Sequence, residues 1–164
     1  MQIFWTRNDS TKSSEDLDDK RLNKQIIELG QILSTAIWIE NCDVGETLTA
    51  MDCIYLPTHE NHPIIQNCKY YYFKAMSYLT DCCEEYKHRF NKIHKTSLML
   101  HDFKAQNHLF FNYRRMPFIN CTKNHKHIIS TTEAYRQCLI EKWKSENPKW
   151  TKRKKPDWAN KEEE

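Results

Sequence analysis

The helical spacing of apolar residues between about Ser14 and Glu40 limits the fold of this chain more than any other feature. These residues recur at every third or fourth position and line one face of a helix about 40 Å long. The face consists of Leu22, Ile26, Leu29, Leu33, Ala36 and Ile37. Ser13 or Ser14 is predicted to cap this helix, because a serine oxygen can accept a hydrogen bond from a first-turn N–H.

The scarcity of glycine also favours helices. The chain has only two glycines, Gly30 and Gly45, among 164 residues. Sheet proteins with many tight turns need more of them. Because a glycine inside a helix costs stability, Gly30 indicates close packing by another segment. Hydrophobic residues make up 39% of the chain and charged residues 29%, which is a globular composition.

Three further segments have helical patterns. A second long helix is predicted from Pro63, which suits a first turn, to about Phe90. A shorter helix is predicted from His94 to Lys104, and another from Thr131, as its cap, to about Ser145. Asn41 to Pro57 and residues 105–130 are predicted to be irregular. The predicted fold is an all-α, compact single-domain bundle of three to four helices with an aromatic, basic C-terminal tail.

Cysteine usage and hydropathy give the expected environment. The chain has seven cysteines and no CxxC pair, which predicts reduced thiols rather than disulfides or a zinc site. The start of the chain has no signal-peptide core, and no apolar run reaches about 18 residues. We therefore expect an intracellular protein without a membrane span, a metal or a cofactor.

One carboxylate lies on a cationic face of the first helix. At about 100° per residue, five polar side chains share a stripe about 80° wide. They are Arg21, Lys24, Glu28, Gln31 and Thr35. The cations would attract a phosphate-rich ligand, and Glu28 could exchange protons with it. The alternative is a solvated face on which Lys24 and Glu28 form an i,i+4 pair.

Basic and aromatic residues alternate in the C-terminal tail. The residues are Lys149, Trp150, Lys152, Arg153, Lys154, Lys155 and Trp158. Lysine and arginine contact phosphates, and indole rings can stack on unpaired bases. The alternative is a mobile basic tail whose tryptophans dock on the core.

Several short motifs resemble the pyrimidine-dimer DNA glycosylases of the phage endonuclease V type. The resemblance begins in the first helix, continues before the second and returns near the end of the chain. Its residues are Leu17 to Leu22 (LDDKRL), Ile27 to Leu29 (IEL), Asn61 to Pro63 (NHP) and Pro148 to Lys152 (PKWTK). Virus- and phage-encoded relatives are the branch that the chain resembles most. The segments DDKRL, ELGQILSTA, THENHP, KIHKT, FINCT and WTKRKKPDW carry that likeness.

The resemblance implies a fold and a reaction. Members of this family are all-helical proteins without a metal that bind damaged duplex DNA and flip out a base. The α-amino group of the chain attacks the sugar C1′ and forms an imine, and β-elimination then cuts the strand. Such an amine is partly neutral near pH 7 and can act as a nucleophile. A glutamate on the first helix transfers the protons.

Several residues of this chain match functional positions of the family. Glu28 matches the glutamate, and Met1 would supply the amine, since methionine is normally kept before a residue as large as Gln2. The resemblance also implies DNA-contacting residues, and Ile27 and Gln31 replace two arginines that flank the glutamate. The predicted DNA-binding residues are Arg21, Lys24, Gln31, His62, Trp150, Lys152, Arg153 and Lys155.

The resemblance predicts a DNA repair glycosylase with AP-lyase activity on duplex DNA that contains pyrimidine dimers. Residues 1–158 would form the catalytic domain and 159–164 a disordered acidic tail. We expect a monomer that binds double-stranded DNA in the cytoplasm, or in the nucleus of the host cell if the chain is viral. The alternatives are a non-catalytic DNA-binding module and different base or nucleotide chemistry on the same scaffold.

Overall fold

The computed structural model describes residues 1–44 and 55–160, which form helices and no strand. The all-α prediction is therefore confirmed. The α-helices are α1 (Ser10–Asp16), α2 (Asp19–Val44), α3 (Pro63–Gln66), α4 (Cys68–Phe90), α5 (Leu100–Ala105) and α6 (Thr131–Lys144). Three 3₁₀ segments span Lys95–Met99, Gln106–Phe110 and Asp157–Asn160. More helices are present than predicted because the chain breaks two long helical patterns and forms short helical turns between them.

The predicted first helix is divided into α1 and α2. Asp9 caps α1 and accepts a hydrogen bond from the N–H of Lys12 at 2.7 Å, so the prediction that Ser13 or Ser14 caps this helix is wrong. Leu17 is extended and ends α1. Asp18 then accepts from the backbone N–H groups of the first turn of α2, at 3.1 and 3.2 Å. An aspartate in this position satisfies donors that would otherwise lack partners, so a new helix can begin.

Helix α2 forms the centre of the core. All six apolar residues of its predicted face are buried. It extends to Val44 rather than ending near Glu40, so the predicted loop from Asn41 begins too early. Residues 45–54 of that loop, Gly45 among them, lie outside the described residues. The side chain of Asn41 donates to the carbonyl of Ile37 at 2.9 Å, which lets a polar residue remain buried in the last turns.

The second long pattern is also divided. Pro63 begins α3 as predicted, and the Nδ1 atom of His62 accepts from the N–H of Ile64 at 3.2 Å. Asn67 separates α3 from α4, which ends at Phe90. The hydroxyl of Tyr71 donates to the carbonyl of Ile64 and fastens the short helix to the long one.

The later helices agree with their predicted positions to within a few residues. His94 caps the 3₁₀ segment that leads into α5. Ser130, not Thr131, caps α6: its hydroxyl accepts from the N–H of Glu133 at 3.3 Å. Thr131 instead donates to the carbonyl of Phe118 at 3.1 Å and holds the preceding loop against the helix.

The C-terminal tail docks on the core through its tryptophans. The indole N–H of Trp158 donates to the Asp16 carboxylate at 2.8 Å, and that of Trp150 donates to the Asp16 carbonyl at 3.1 Å. Trp143 of α6 stacks on Trp158 and donates to Asp18 at 2.6 Å. The predicted tail boundary at residue 158 falls inside a 3₁₀ segment, and residues 161–164 lie outside the described part of the chain.

Candidate active site

The N-terminal segment crosses α2 at Glu28. The backbone N–H of Gln2 donates to Glu28 Oε2 at 3.2 Å. The fully buried side chain of Gln25 accepts from the N–H of Phe4 at 2.8 Å and donates to the carbonyl of Gln2 at 3.3 Å. These hydrogen bonds hold Gln2 against the Glu28 carboxylate. The α-amino group of Met1 therefore belongs to the residue just before the one that bonds to this carboxylate.

Gln25 is a positioning residue that the sequence analysis missed. Its amide offers one acceptor and one donor, which match the two backbone groups of an extended segment. A hydrogen-bonded amide is one of the few polar groups that can be buried at no large cost. The one signal in the sequence is a polar residue one turn from Glu28, between the apolar face and the polar stripe.

Glu28 itself is partly sheltered. Its side chain is 13% exposed, and the exposed ammonium group of Lys24 lies 3.8 Å from Oε1. The i,i+4 pair that the sequence offered as an alternative is therefore present, yet it leaves Oε2 directed to the N-terminal segment. Glu28 can pair with Lys24 and also accept the hydrogen bond from Gln2, because a carboxylate accepts through both oxygens.

His62 caps α3, a few residues after Thr58. Burial lowers the pKa of His62, and the positive charges of the N-terminal amine and His59 lower it further. Because Nδ1 accepts the N–H of Ile64, the imidazole is held in its neutral form with Nδ1 as acceptor.

Two thiols complete the surroundings of the N-terminal segment. The side-chain amide of Gln2 contacts Cys138 Sγ at 3.8 and 3.9 Å. Burial raises the pKa of Cys121, and the charges of the N-terminal amine and Lys126 oppose this effect. Both thiols therefore stay protonated at neutral pH and act as apolar packing groups.

Arg21 is turned inward rather than toward a ligand. Its side chain is 6% exposed and donates to both oxygens of Glu146, at 2.9 and 2.5 Å. Asp18 lies 3.5 Å from the same guanidinium. This cation therefore joins α2 to the segment after α6. Sequence spacing could not show this, because Glu146 is 125 positions away.

Gln31 and Thr35 continue the stripe beyond Glu28. Thr35 accepts from the N–H of Thr58 at 3.1 Å and so anchors the turn that carries His59 and His62. Gln31 is half-buried and lies about one turn from Glu28. Lys24, Glu28 and Gln31 therefore share one side of α2, and the segment that leads to His62 is anchored to the same stripe at Thr35.

The tail residues have contacts of their own elsewhere. Arg153 donates to both oxygens of Glu85, at 2.9 and 2.7 Å. The Nζ atom of Lys152 donates to the carbonyl of His88 at 2.8 Å. Trp150 is docked on α1, so the hydrogen bonds of these tail residues are made to α1 and α4. Lys155 is exposed, beside α6.

The remaining observations concern metals, thiols and membranes. In residues 1–44 and 55–160, no group of three His, Cys, Asp or Glu side chains lies close enough to hold a metal ion. The six cysteines in this part are free thiols. None of the described helices has the length and apolar character needed to span a bilayer.

Comparison with known proteins identifies the family. The family of pyrimidine dimer DNA glycosylases matches residues 1–98, which include the N-terminal segment, Glu28 and His62. The comparisons with curated proteins and with solved structures gave no match. The matched part is more than half of the chain and contains the contact between Gln2 and Glu28. The chain therefore belongs to the pyrimidine dimer DNA glycosylase family, and is a DNA repair enzyme with DNA as its substrate.

Proposed function

We propose that this enzyme removes bases from pyrimidine-dimer-containing duplex DNA with its α-amine and then cuts the strand as an AP lyase. The observation that carries the proposal is the N-terminal segment fixed across α2, with the N–H of Gln2 3.2 Å from Glu28. A chain terminus held by buried hydrogen bonds beside a carboxylate is suited to amine chemistry, because the reacting groups need no further ordering.

The proposed reaction uses the amine as nucleophile. The nitrogen of Met1 bonds to the sugar C1′, and the base leaves with the electron pair of the glycosidic bond and takes a proton. Loss of two protons from nitrogen and opening of the C1′–O4′ bond give the imine, with a proton passing to O4′. Removal of a C2′ proton then expels the 3′ phosphate. Glu28 is the proposed donor and acceptor of these protons.

The proposed DNA contacts fall into two groups. Lys24, Gln31 and His62 would contact the strand near the reacting sugar. Lys152 and Lys155 are exposed on the docked tail and would contact the backbone further away. Lys152 uses only one of its three ammonium protons, on the carbonyl of His88. Arg21, Trp150 and Arg153 were also predicted to bind DNA. They bond to Glu146, Asp16 and Glu85, so we propose that they hold the DNA-binding surfaces in place rather than contact DNA.

The position of the amine is testable by itself. With Met1 retained, the group against Glu28 is a peptide N–H. If Met1 were removed, the new amine of Gln2 would lie at this 3.2 Å contact, and cyclisation of the Gln2 side chain would destroy it as a nucleophile. The mass of the intact protein decides which amine is present.

Borohydride trapping tests the mechanism. Reduction of the imine joins the protein to dimer-containing or abasic duplex DNA, and peptide mapping should locate the link at the N-terminal residue. Glu28→Gln should slow trapping by about 100-fold or more, since general acid–base catalysis contributes on that order. Glu84→Gln, an exposed carboxylate on α4, is the matched control and should trap at the normal rate.

Two results would contradict the proposal. Absence of any adduct from a protein with a free N-terminus would exclude the amine mechanism, and DNA binding without an adduct would indicate a non-catalytic member of the family. Full activity of Glu28→Gln would remove Glu28 from the proton transfers.

A further inference from the structure

A cleft beside the N-terminal segment carries lysines for which the proposed reaction has no role. Its walls are Gln2 and Cys138, Lys123 and His125 of the loop before α6, and Lys142 of α6. We call it the lysine cleft. It shares Gln2 with the candidate active site, and the N–H of that residue bonds to Glu28 at 3.2 Å. A ligand in the cleft would therefore lie next to the start of the chain.

The loop that carries the first lysine is ordered by its own hydrogen bonds. Asn120 donates to the carbonyls of His125 and Ile128, at 2.9 and 3.1 Å, and accepts from the N–H and hydroxyl of Thr122, at 3.0 and 2.6 Å. The hydroxyl of Tyr135, on α6, donates to the carbonyl of the residue before Asn120. The loop is thus built to present its side chains in fixed positions rather than to move freely.

The cleft has an excess of positive charge. Lys123 and Lys142 line the cleft, and Lys126 is exposed next to His125 on the same loop. These three lysines have no ion-pair partner among the residues that the structure describes. One carboxylate, Glu141, also lines the cleft, but its Oε2 lies 3.0 Å from His125 Nε2. The carboxylate is therefore directed at the histidine, and the three ammonium groups are left to attract an anion.

Electrostatic effects on two thiols are consistent with lysines close to the start of the chain. The charge of Lys126 and that of the N-terminal amine both act on the thiol of Cys121. The charge of Lys142 acts on Cys138, which contacts the side chain of Gln2. Lys123 and Lys142 line the same cleft as Gln2, the second residue of the chain.

We infer that the lysine cleft is a binding subsite for the DNA backbone, in which Lys123, Lys126 and Lys142 contact phosphates beside the reacting nucleotide. The statement that this subsite lies beside the reacting nucleotide rests on the proposed function. The loop and α6 lie beyond the matched residues 1–98, so the family match assigns them no role. Lysine ammonium groups on an ordered loop can follow a phosphate backbone without reading its sequence.

The salt dependence of binding tests the subsite. The triple variant Lys123→Gln/Lys126→Gln/Lys142→Gln is compared with Lys92→Gln/Lys95→Gln/Lys104→Gln, which removes three exposed lysines between the end of α4 and α5. The probe is an undamaged duplex of about 20 base pairs. Each lost phosphate contact should make the slope of log affinity against log salt less negative by about 0.9. We expect a change of about 2–3 for the cleft variant and little change for the control.

Trapping measurements separate this inference from the proposed function. At saturating dimer-containing duplex, the cleft variant should form the borohydride adduct within about twofold of the normal rate, because the lysines do not touch the reacting atoms. Equal slopes for the two triple variants would overturn the subsite even if the unaltered protein traps normally. A slope difference without any trapping would retain the subsite and reject the proposed function.

Discussion

At the scale of single residues, hydrogen-bonding capacity decides which polar groups can be buried in this site. Gln25 is fully buried because its amide satisfies two backbone groups of the N-terminal segment. Glu28 keeps one oxygen for that segment and one for Lys24. The site therefore depends on a neutral side chain for position and on a charged one for chemistry.

His62 is expected to make stability depend on pH. Its folded-state pKa is below the unfolded value of about 6.5, because of burial and the nearby N-terminal and His59 charges. The unfolded chain binds the proton more readily, so stability is full above about pH 6.5 and falls as the pH drops toward the folded pKa. NMR titration measures the pKa of His62, and urea unfolding between pH 5 and 7.5 measures how the free energy of unfolding depends on pH.

A matched variant isolates the contribution of His62. His62→Asn keeps a side-chain acceptor for the helix cap and removes the titrating group. It should reduce the slope of stability against pH in this window. An unchanged slope would assign the effect to another group, such as His94, whose pKa burial also lowers.

Gly30 permits a close approach to α2, as its position in the sequence indicated. A Cβ atom there would lie 2.6 Å from Thr96 Cγ2 and 2.8 Å from the ring of Tyr55. Gly30→Ala should therefore destabilise the protein by about 1–3 kcal/mol, since overpacking outweighs the gain in helix propensity. Denaturant unfolding measures the change.

Thr96→Ser provides the control for this steric explanation. Serine removes the Cγ2 atom and retains the hydroxyl that bonds to Tyr55 at 2.7 Å. Gly30→Ala should lower the free energy of unfolding by clearly less in the Thr96→Ser protein than in the unaltered one. An equal cost in both backgrounds would contradict a clash with Thr96.

At the scale of elements, a buried cation holds the break between α1 and α2. Arg89 of α4 is fully buried and donates to the carbonyls of Leu17, Ser14 and Glu15 at the end of α1, at 2.7, 3.4 and 3.0 Å. It also pairs with Glu85 at 2.7 Å. Carbonyls at the end of a helix lack partners within the helix, so one guanidinium can end α1 and fix it against α4.

Arg89→Met should destabilise the protein by about 3 kcal/mol or more, because it leaves buried carbonyls without donors and removes a partner of Glu85. Arg89→Lys keeps the charge but has fewer donors in another geometry, so it should have an intermediate effect. Urea unfolding of the unaltered protein and the two variants gives the order of their stabilities. A methionine variant as stable as the unaltered protein would show that water satisfies the end of α1.

At the scale of the whole molecule, ion pairs join parts of the chain that are far apart in sequence. Hydrogen bonds from Arg21 and Lys20 lower the pKa of Glu146 to about 2. Burial alone would raise the pKa of Glu85, but hydrogen bonds from Arg153 and Arg89 outweigh it and lower the pKa. These carboxylates connect α2 and α4 to the C-terminal segment.

Acid should therefore weaken the whole fold. The unfolded chain protonates both carboxylates near pH 4.5, so their contribution is full above that pH and is lost as the pH falls from about 4.5 toward 2. Urea unfolding at several pH values measures the slope, and Glu85→Gln/Glu146→Gln should flatten it. A slope that stays the same in the double variant would assign acid sensitivity to other carboxylates.

The sequence by itself determined the helical class, the buried face of α2, the helix start at Pro63 and the close approach at Gly30. These features follow from local spacing and from the steric properties of single residues, which any helix expresses. The family motifs also predicted that Glu28 acts together with the chain terminus, and the structure has the N–H of Gln2 3.2 Å from this carboxylate. The breaks at Leu17 and Asn67 were not predicted, because the groups that satisfy the ends of these helices come in part from other elements.

Only the tertiary structure decided which polar groups are available to a ligand. Arg21 and Arg153 look alike in sequence to Lys24 and Lys155, yet Glu146 and Glu85 take up both arginines. The partner of Arg21 is 125 positions away, so no helical period could reveal it. The N-terminal segment, 26 positions from Glu28, reaches the carboxylate because Gln25 satisfies its backbone groups. Burial requires such pairing, and pairing at long range depends on how the helices pack.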